Sequence, residues 1–191
     1  HSRWKSCLGP CAGLLWWCFD DSAPATALIC GALYGAYLCY QGMEPAPILV
    51  GHGTDTQKPR ALAGIVWLHG LGDTARGCSA MAQALTLDVP TVWLCPSAPV
   101  RQLSSDWGLP RRAWFDMTGT PVIAQRCEDK KGLAESVLAV HKAVKRLEGL
   151  GVDPHRIVVG GLSQGGAAAL TAATTLPGGL AGVACIGGWL P

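Results

Sequence analysis

Apolar residues recur at three- and four-residue steps between Glu128 and Glu148, at Leu133, Val137, Val140, Val144 and Leu147. Lys130, Lys131, Lys142, Lys145 and Arg146 take the opposite side. Such a stripe predicts one amphipathic helix laid on a core. Glu128 and Asp129 stand at its start and Lys145-Arg146 near its end, the order a helix dipole favours, and Gly149 and Gly151 close it. Elsewhere the apolar runs are short. Ile48–Val50, Leu62–Leu68, Thr91–Leu94, Arg156–Gly160 and Ala181–Ile186 read as strands, with helices at Gly77–Leu87 and Gln164–Leu176 between them. Strands alternating with helices predict an α/β fold, a mostly parallel sheet with helices on both faces. Ser97–Arg126 is expected to be long and irregular, because Pro99, Pro110, Gly119 and Pro121 interrupt any regular element.

The turn between the fourth strand and its helix is Gly161-Leu162-Ser163-Gln164-Gly165. A serine between small shoulders, with strand before and helix after, is the nucleophile elbow of an α/β-hydrolase, where the hydroxyl is exposed on a strained turn. Ser163 is therefore the candidate nucleophile. The second strand runs into Trp67-Leu68-His69-Gly70-Leu71-Gly72-Asp73. A loop in that place lends one backbone N–H to an oxyanion hole, and the residue after the nucleophile lends the other. Those donors are Leu71 and Gln164.

His69 precedes the nucleophile, whereas the base of this fold follows it, so His69 is expected to brace the loop by hydrogen bonding. Asp73 is expected to pin the same loop through bonds to backbone. His141 borders the apolar stripe and His155 follows Asp153-Pro154 in a turn, and both read as surface or core residues. Trp114, Phe115 and Trp189 fall on stretches expected near the strand C-termini, where α/β sheets bind ligands. Trp114 and Trp189 are the candidate substrate-binding residues. For Trp189 an acyl channel and core packing stay equally open, Phe115 favours core, and Asp116 reads as a structural partner of its loop.

Composition narrows this picture. With 191 residues, 49% of them apolar, the chain has enough for one good core and too little for two ordinary domains. A net charge of +2 from 15 basic and 13 acidic side chains gives no footprint for nucleic acid. The nine cysteines include no C-x-x-C pair, so no metal site is expected, and buried free thiols are the preferred reading. Residues 1–43 hold five of those cysteines, and this leader is expected to be disordered or non-native, with the hydrolase domain over 44–191. Ala25–Tyr40 is apolar and uncharged but spans only 16 residues, short of the ~20 a spanning helix needs, so stable membrane insertion is not expected.

Taken together, His69-Gly70-Leu71-Gly72-Asp73-Thr74, Cys95-Pro96-Ser97-Ala98-Pro99, Trp114-Phe115-Asp116, Gly161–Gly166 and Trp189-Leu190-Pro191 resemble the acyl-protein thioesterases, a carboxylesterase/lysophospholipase-like family of serine hydrolases. The resemblance runs from about Glu44 to Pro191, and Leu162 stands where the family usually has an aromatic. It implies a cytoplasmic esterase without cofactor that removes palmitoyl groups from S-acylated proteins and hydrolyses small acyl esters and lysophospholipids. It also implies Ser163 as nucleophile, Leu71 and Gln164 as oxyanion donors, and Trp189 near the acyl channel. No His, Asp, Glu, Lys or Arg follows Ser163. Because acid and base come after the serine in this fold, the domain is expected to be incomplete at its C-terminus and inactive as it stands. The alternative is a non-catalytic splice product or pseudoenzyme that binds acyl chains or proteins.

Overall fold

A computed structural model describes residues 46–53, 63–85, 87–119 and 129–191. The leader, and with it the expectation of disorder there, lies outside the described residues. Five strands form the central sheet: β1 (Ile48–His52), β2 (Ala63–Leu68), β3 (Thr91–Cys95), β6 (Ile157–Leu162) and β7 (Gly182–Ile186). Their order is β1-β3-β2-β6-β7, with β1 antiparallel to β3 and every other pair parallel. The predicted mostly parallel α/β sheet is the one observed.

Alternation along the strands sorts the core into two layers. Val66, Leu68, Val92, Leu94, Ile157 and Val159 point to the face covered by α2 (Lys130–Gly149) and α3 (Gln164–Ala173). Trp67, Trp93 and Val50 point to the other face, against Ala75, Cys78 and Ala82 of α1 (Ala75–Ala84). The stripe read from the sequence is what α2 buries, through Val140, Val144 and Leu147. The helix begins two residues later than expected, because Asp129 is its cap and accepts the Gly132 N–H at 2.8 Å. Gly151, at φ 90°, turns the chain back at the other end, with its N–H on the Glu148 carbonyl at 2.8 Å.

Two expectations are corrected. Ser97–Arg126 is not irregular throughout, for β4 (Val100–Gln102) and β5 (Pro110–Arg112) pair as an antiparallel hairpin. A 3-10 turn at Ser104–Asp106 closes the hairpin. Its strands are three residues each and heavy in Arg and Gln, too short and polar for alternation to show. Pro110 sits at the start of β5, where a proline does least harm to a ladder. Cys78 and Cys95 are joined in a disulfide rather than free, while Cys185 is free. Their Cα atoms lie 6.0 Å apart across the contact between α1 and the end of β3, a juxtaposition that a separation of 17 residues conceals. No helix among the described residues is long and apolar enough to cross a membrane, and no cluster of metal-ligating side chains occurs among them.

Candidate active site

Ser163 lies between the end of β6 and the start of α3 with φ 52° and ψ −119°. This sparsely populated conformation costs about 1–3 kcal/mol and persists only where the surroundings enforce it. Here they do. The Ser163 N–H is held by the Ile186 carbonyl at 2.8 Å, and the Ser163 carbonyl accepts the Ala167 N–H at 3.1 Å. Both shoulders are closed to side chains. A methyl group on Gly161 would lie 2.5 Å from the Gly165 carbonyl carbon, and one on Gly165 would collide with the Leu68 and His69 carbonyls. Glycine is required at both positions by backbone contact.

The Gly70–Asp73 segment is a tight turn closed by the Asp73 N–H on the Gly70 carbonyl at 3.2 Å. Gly72, its third residue, has φ 79°, the positive value that a type II turn requires there. In such a turn the N–H of the second residue is not used, and among the described residues the Leu71 N–H makes no hydrogen bond. Gln164, the first residue of α3, likewise has an N–H without an intrahelical acceptor. The two elements are neighbours, since a methyl group on Gly70 would stand 3.8 Å from the Ser163 Cβ.

A buried polar network ties them together. His69, 2% exposed, receives the Ala98 N–H on Nε2 at 2.9 Å, and its Nδ1 meets the Gly70 carbonyl at 2.7 Å. That pairing assigns the neutral tautomer with the proton on Nδ1. Burial pushes the imidazole below its ordinary value of 6.5, outweighing the Gly70 carbonyl and the Asp73 carboxylate, which raise it; Arg112 adds to the lowering. His69 thus braces the loop, as expected. Asp73 accepts the Thr74 N–H at 2.7 Å, and Asp116 accepts the N–H groups of Ser104 and Met117 at 2.7 Å each, so both are structural partners of their loops.

Trp114 is fully buried, with its indole N–H on the His69 carbonyl at 2.8 Å, which places it in the core behind the turn. Trp189 packs edge-on against Phe115 at 6.0 Å between ring centres, and its indole N–H is buried without a partner among the described residues. Gly70, which precedes Leu71, thus neighbours Ser163, and Trp189 follows two residues after β7's turn at Gly187. The other histidines among the described residues lie elsewhere: His52 is bonded to Ala82, His141 to Thr175, and His155 belongs to a 3-10 turn.

Sequence reasoning missed two contributors. The Gln164 side chain, 0% exposed, accepts the Trp114 N–H at 2.9 Å and donates to the Phe115 carbonyl at 2.7 Å. It is the only polar side chain among residues 164–170, a signal that it must find buried partners. Arg112, 4% exposed, donates to the Ala98 carbonyl at 3.0 Å, while its own carbonyl receives the Gly72 N–H at 2.8 Å. The small hairpin therefore holds the glycine turn.

Comparison with known proteins gives the same picture. The family model described as phospholipase/carboxylesterase matches residues 53–191. Acyl-protein thioesterase 1 of Mycosarcoma maydis is 36% identical over 146 residues, 70% of this chain and 59% of that protein. A protein of Oryza sativa subsp. japonica named as a probable inactive carboxylesterase is 32% identical over 152 residues, 78% of this chain and 58% of that one. The crystal structure of Arabidopsis thaliana SOBER1 superposes with a TM-score of 0.63 at 33% identity, covering 68% of this chain and 62% of its own. The chain thus spans about three-fifths of the length of the relatives it matches.

Proposed function

Since the chain belongs to the phospholipase/carboxylesterase family, we propose that it is the nucleophile-bearing part of a serine hydrolase acting on acyl esters and thioesters. Acyl-protein thioesters are the substrate class that the relatives' name suggests, and palmitoyl-cysteine is the one that the resemblance in the sequence implies. The observation that carries the reading is the backbone of Ser163, held at φ 52° and ψ −119° between two glycines that no larger residue can replace. In the proposed reaction, Ser163 Oγ attacks the acyl carbonyl as a base takes its proton. The carbonyl oxygen gathers negative charge against the N–H groups of Leu71 and Gln164. Collapse expels the thiol or alcohol, reprotonated from the base, and water then releases the carboxylic acid from the acyl-serine. The proposed setting for this substrate class is the cytoplasm, where the Cys78–Cys95 pair would be held reduced.

A serine hydroxyl is a poor nucleophile at neutral pH without a base. Among the described residues no histidine is bonded to Ser163, and His69 already has both ring nitrogens engaged. The 191-residue chain is therefore expected to label with a fluorophosphonate no faster than its Ser163→Ala variant. A chimera continued after Pro191 with the residues that follow the match in the Mycosarcoma maydis thioesterase is expected to label at Ser163. Rapid Ser163-dependent labelling of the short chain would refute the need for a further base. A folded chimera that stays unlabelled would refute Ser163 as nucleophile. The rice relative, named as inactive, favours a second reading in which the fold binds acyl chains without cleaving them; palmitate binding by a folded but unreactive chimera would select it.

A further inference from the structure

A groove of about 500 Å³ opens between α2 and the end of β3, a volume in the range of small-molecule sites. Leu94, Ala139 and Ala143 contribute apolar lining, and Arg101, Lys142 and Arg146 bring three cations to it. Neither Ser163 nor the Gly70–Gly72 turn lines it. The helix explains the layout. Ala139 and Ala143 are four residues apart, as are Lys142 and Arg146, so each pair sits one turn above the other on neighbouring faces of α2. Small side chains leave the hollow, and long cationic ones rise beside it.

The cations are not equivalent. Arg101 is fixed, with one nitrogen on the Glu135 carboxylate at 2.7 Å and Nε on the Ala113 carbonyl at 3.1 Å. That carboxylate is the acidic group of the lining, and Arg101 engages it. Lys142 and Arg146 have no ion pair among the described residues. Two cations without an ion pair among the described residues, beside an apolar hollow, select a ligand with an anionic head and an apolar body, because each part alone satisfies only half of the surface.

We propose that this groove binds a single-chain amphiphile ending in a carboxylate or phosphate, its head between Lys142 and Arg146 and its chain over Leu94, Ala139 and Ala143. The site is separate from the proposed reaction at Ser163 and stands whether or not that reaction occurs. Calorimetric titration of the full chain with decanoate, decyl phosphate, decanol and inorganic phosphate, below micelle-forming concentrations, tests it. Both anionic amphiphiles are expected to bind, with the stronger of the two identifying the head group. Inorganic phosphate and decanol are each expected to bind about tenfold more weakly or worse. Lys142→Glu with Arg146→Glu is expected to weaken the amphiphiles about tenfold or more and leave decanol unchanged. Both residues are exposed, and Lys142→Gln with Arg146→Gln replaces that pair if the charge reversal disturbs the melt. Ala139→Phe, which fills the hollow, is expected to abolish chain binding while leaving weak phosphate binding in place. Undiminished affinity in either charge variant overturns the proposal. So does loss of binding in Leu71→Asp, which would place the amphiphile beside Ser163 instead.

Discussion

On the side of Ser163 that meets the Gly70–Asp73 turn, His69, Trp114, Gln164 and Arg112 are all buried; Trp114 bonds to both Gln164 and His69, and Arg112 reaches His69 through Ala98. On the side of β7, the strand's parallel ladder with β6 and the bond from the Ser163 N–H to the Ile186 carbonyl make the join. The first flank has what an oxyanion site demands, donors fixed before any charge develops. The second holds the serine through backbone bonds alone. Rigidity at this serine is thus shared between buried side-chain bonds on one flank and backbone bonds on the other.

Breaking the first flank should have the largest effect. Gly165→Ala sets a methyl group on the Leu68 and His69 carbonyls, so β2 and α3 must separate. A loss of about 3 kcal/mol or more in denaturant melts is expected, since backbone cannot yield as a side chain does. Gln164→Ala leaves the Trp114 N–H and Phe115 carbonyl buried and unpaired, and should remove about 3 kcal/mol. A loss below about 1 kcal/mol would mean that the flank is not held by this amide.

Acid gives a gentler test of the same flank. The His69 imidazole is lowered from 6.5 by burial, so the unfolded chain binds a proton that the folded one refuses. Its contribution to stability is complete above 6.5 and is lost as pH falls from there towards the lowered folded value. His69→Phe should flatten that part of the pH–stability curve, and an unaltered slope would assign it to another group. The smallest effect is expected at the exposed Leu190, where Leu190→Asp should change stability by no more than about 0.5 kcal/mol.

Much of this was legible in the chain. The α2 stripe, the five strands and the Ser163 turn each announce themselves through period or through glycine spacing. The bracing did not, because a hydrogen bond from Gln164 to residues 49 and 50 positions away leaves no trace in local pattern. The hairpin around Trp107 escaped for a related reason. Its strands bury little and its corner places a tryptophan at φ 56° with 83% of its surface exposed, where sequence preference would put glycine. Cys78 and Cys95 meet only once α1 lies across β3. Trp114 shows a role that its place in the chain did not announce: its buried indole N–H braces the turn through the His69 carbonyl.

The twisted backbone at Ser163 has a consequence for how this protein fails. A peptide wound into an unfavourable torsion behaves like a latched spring, and the latch is the crowd of carbonyls and amides around it. Slackening in that crowd would let residues 162–164 unwind locally and carry the hydroxyl off its perch while the sheet is still intact. Heated samples of the chimera described above should therefore lose fluorophosphonate labelling at Ser163 ahead of their circular-dichroism signal.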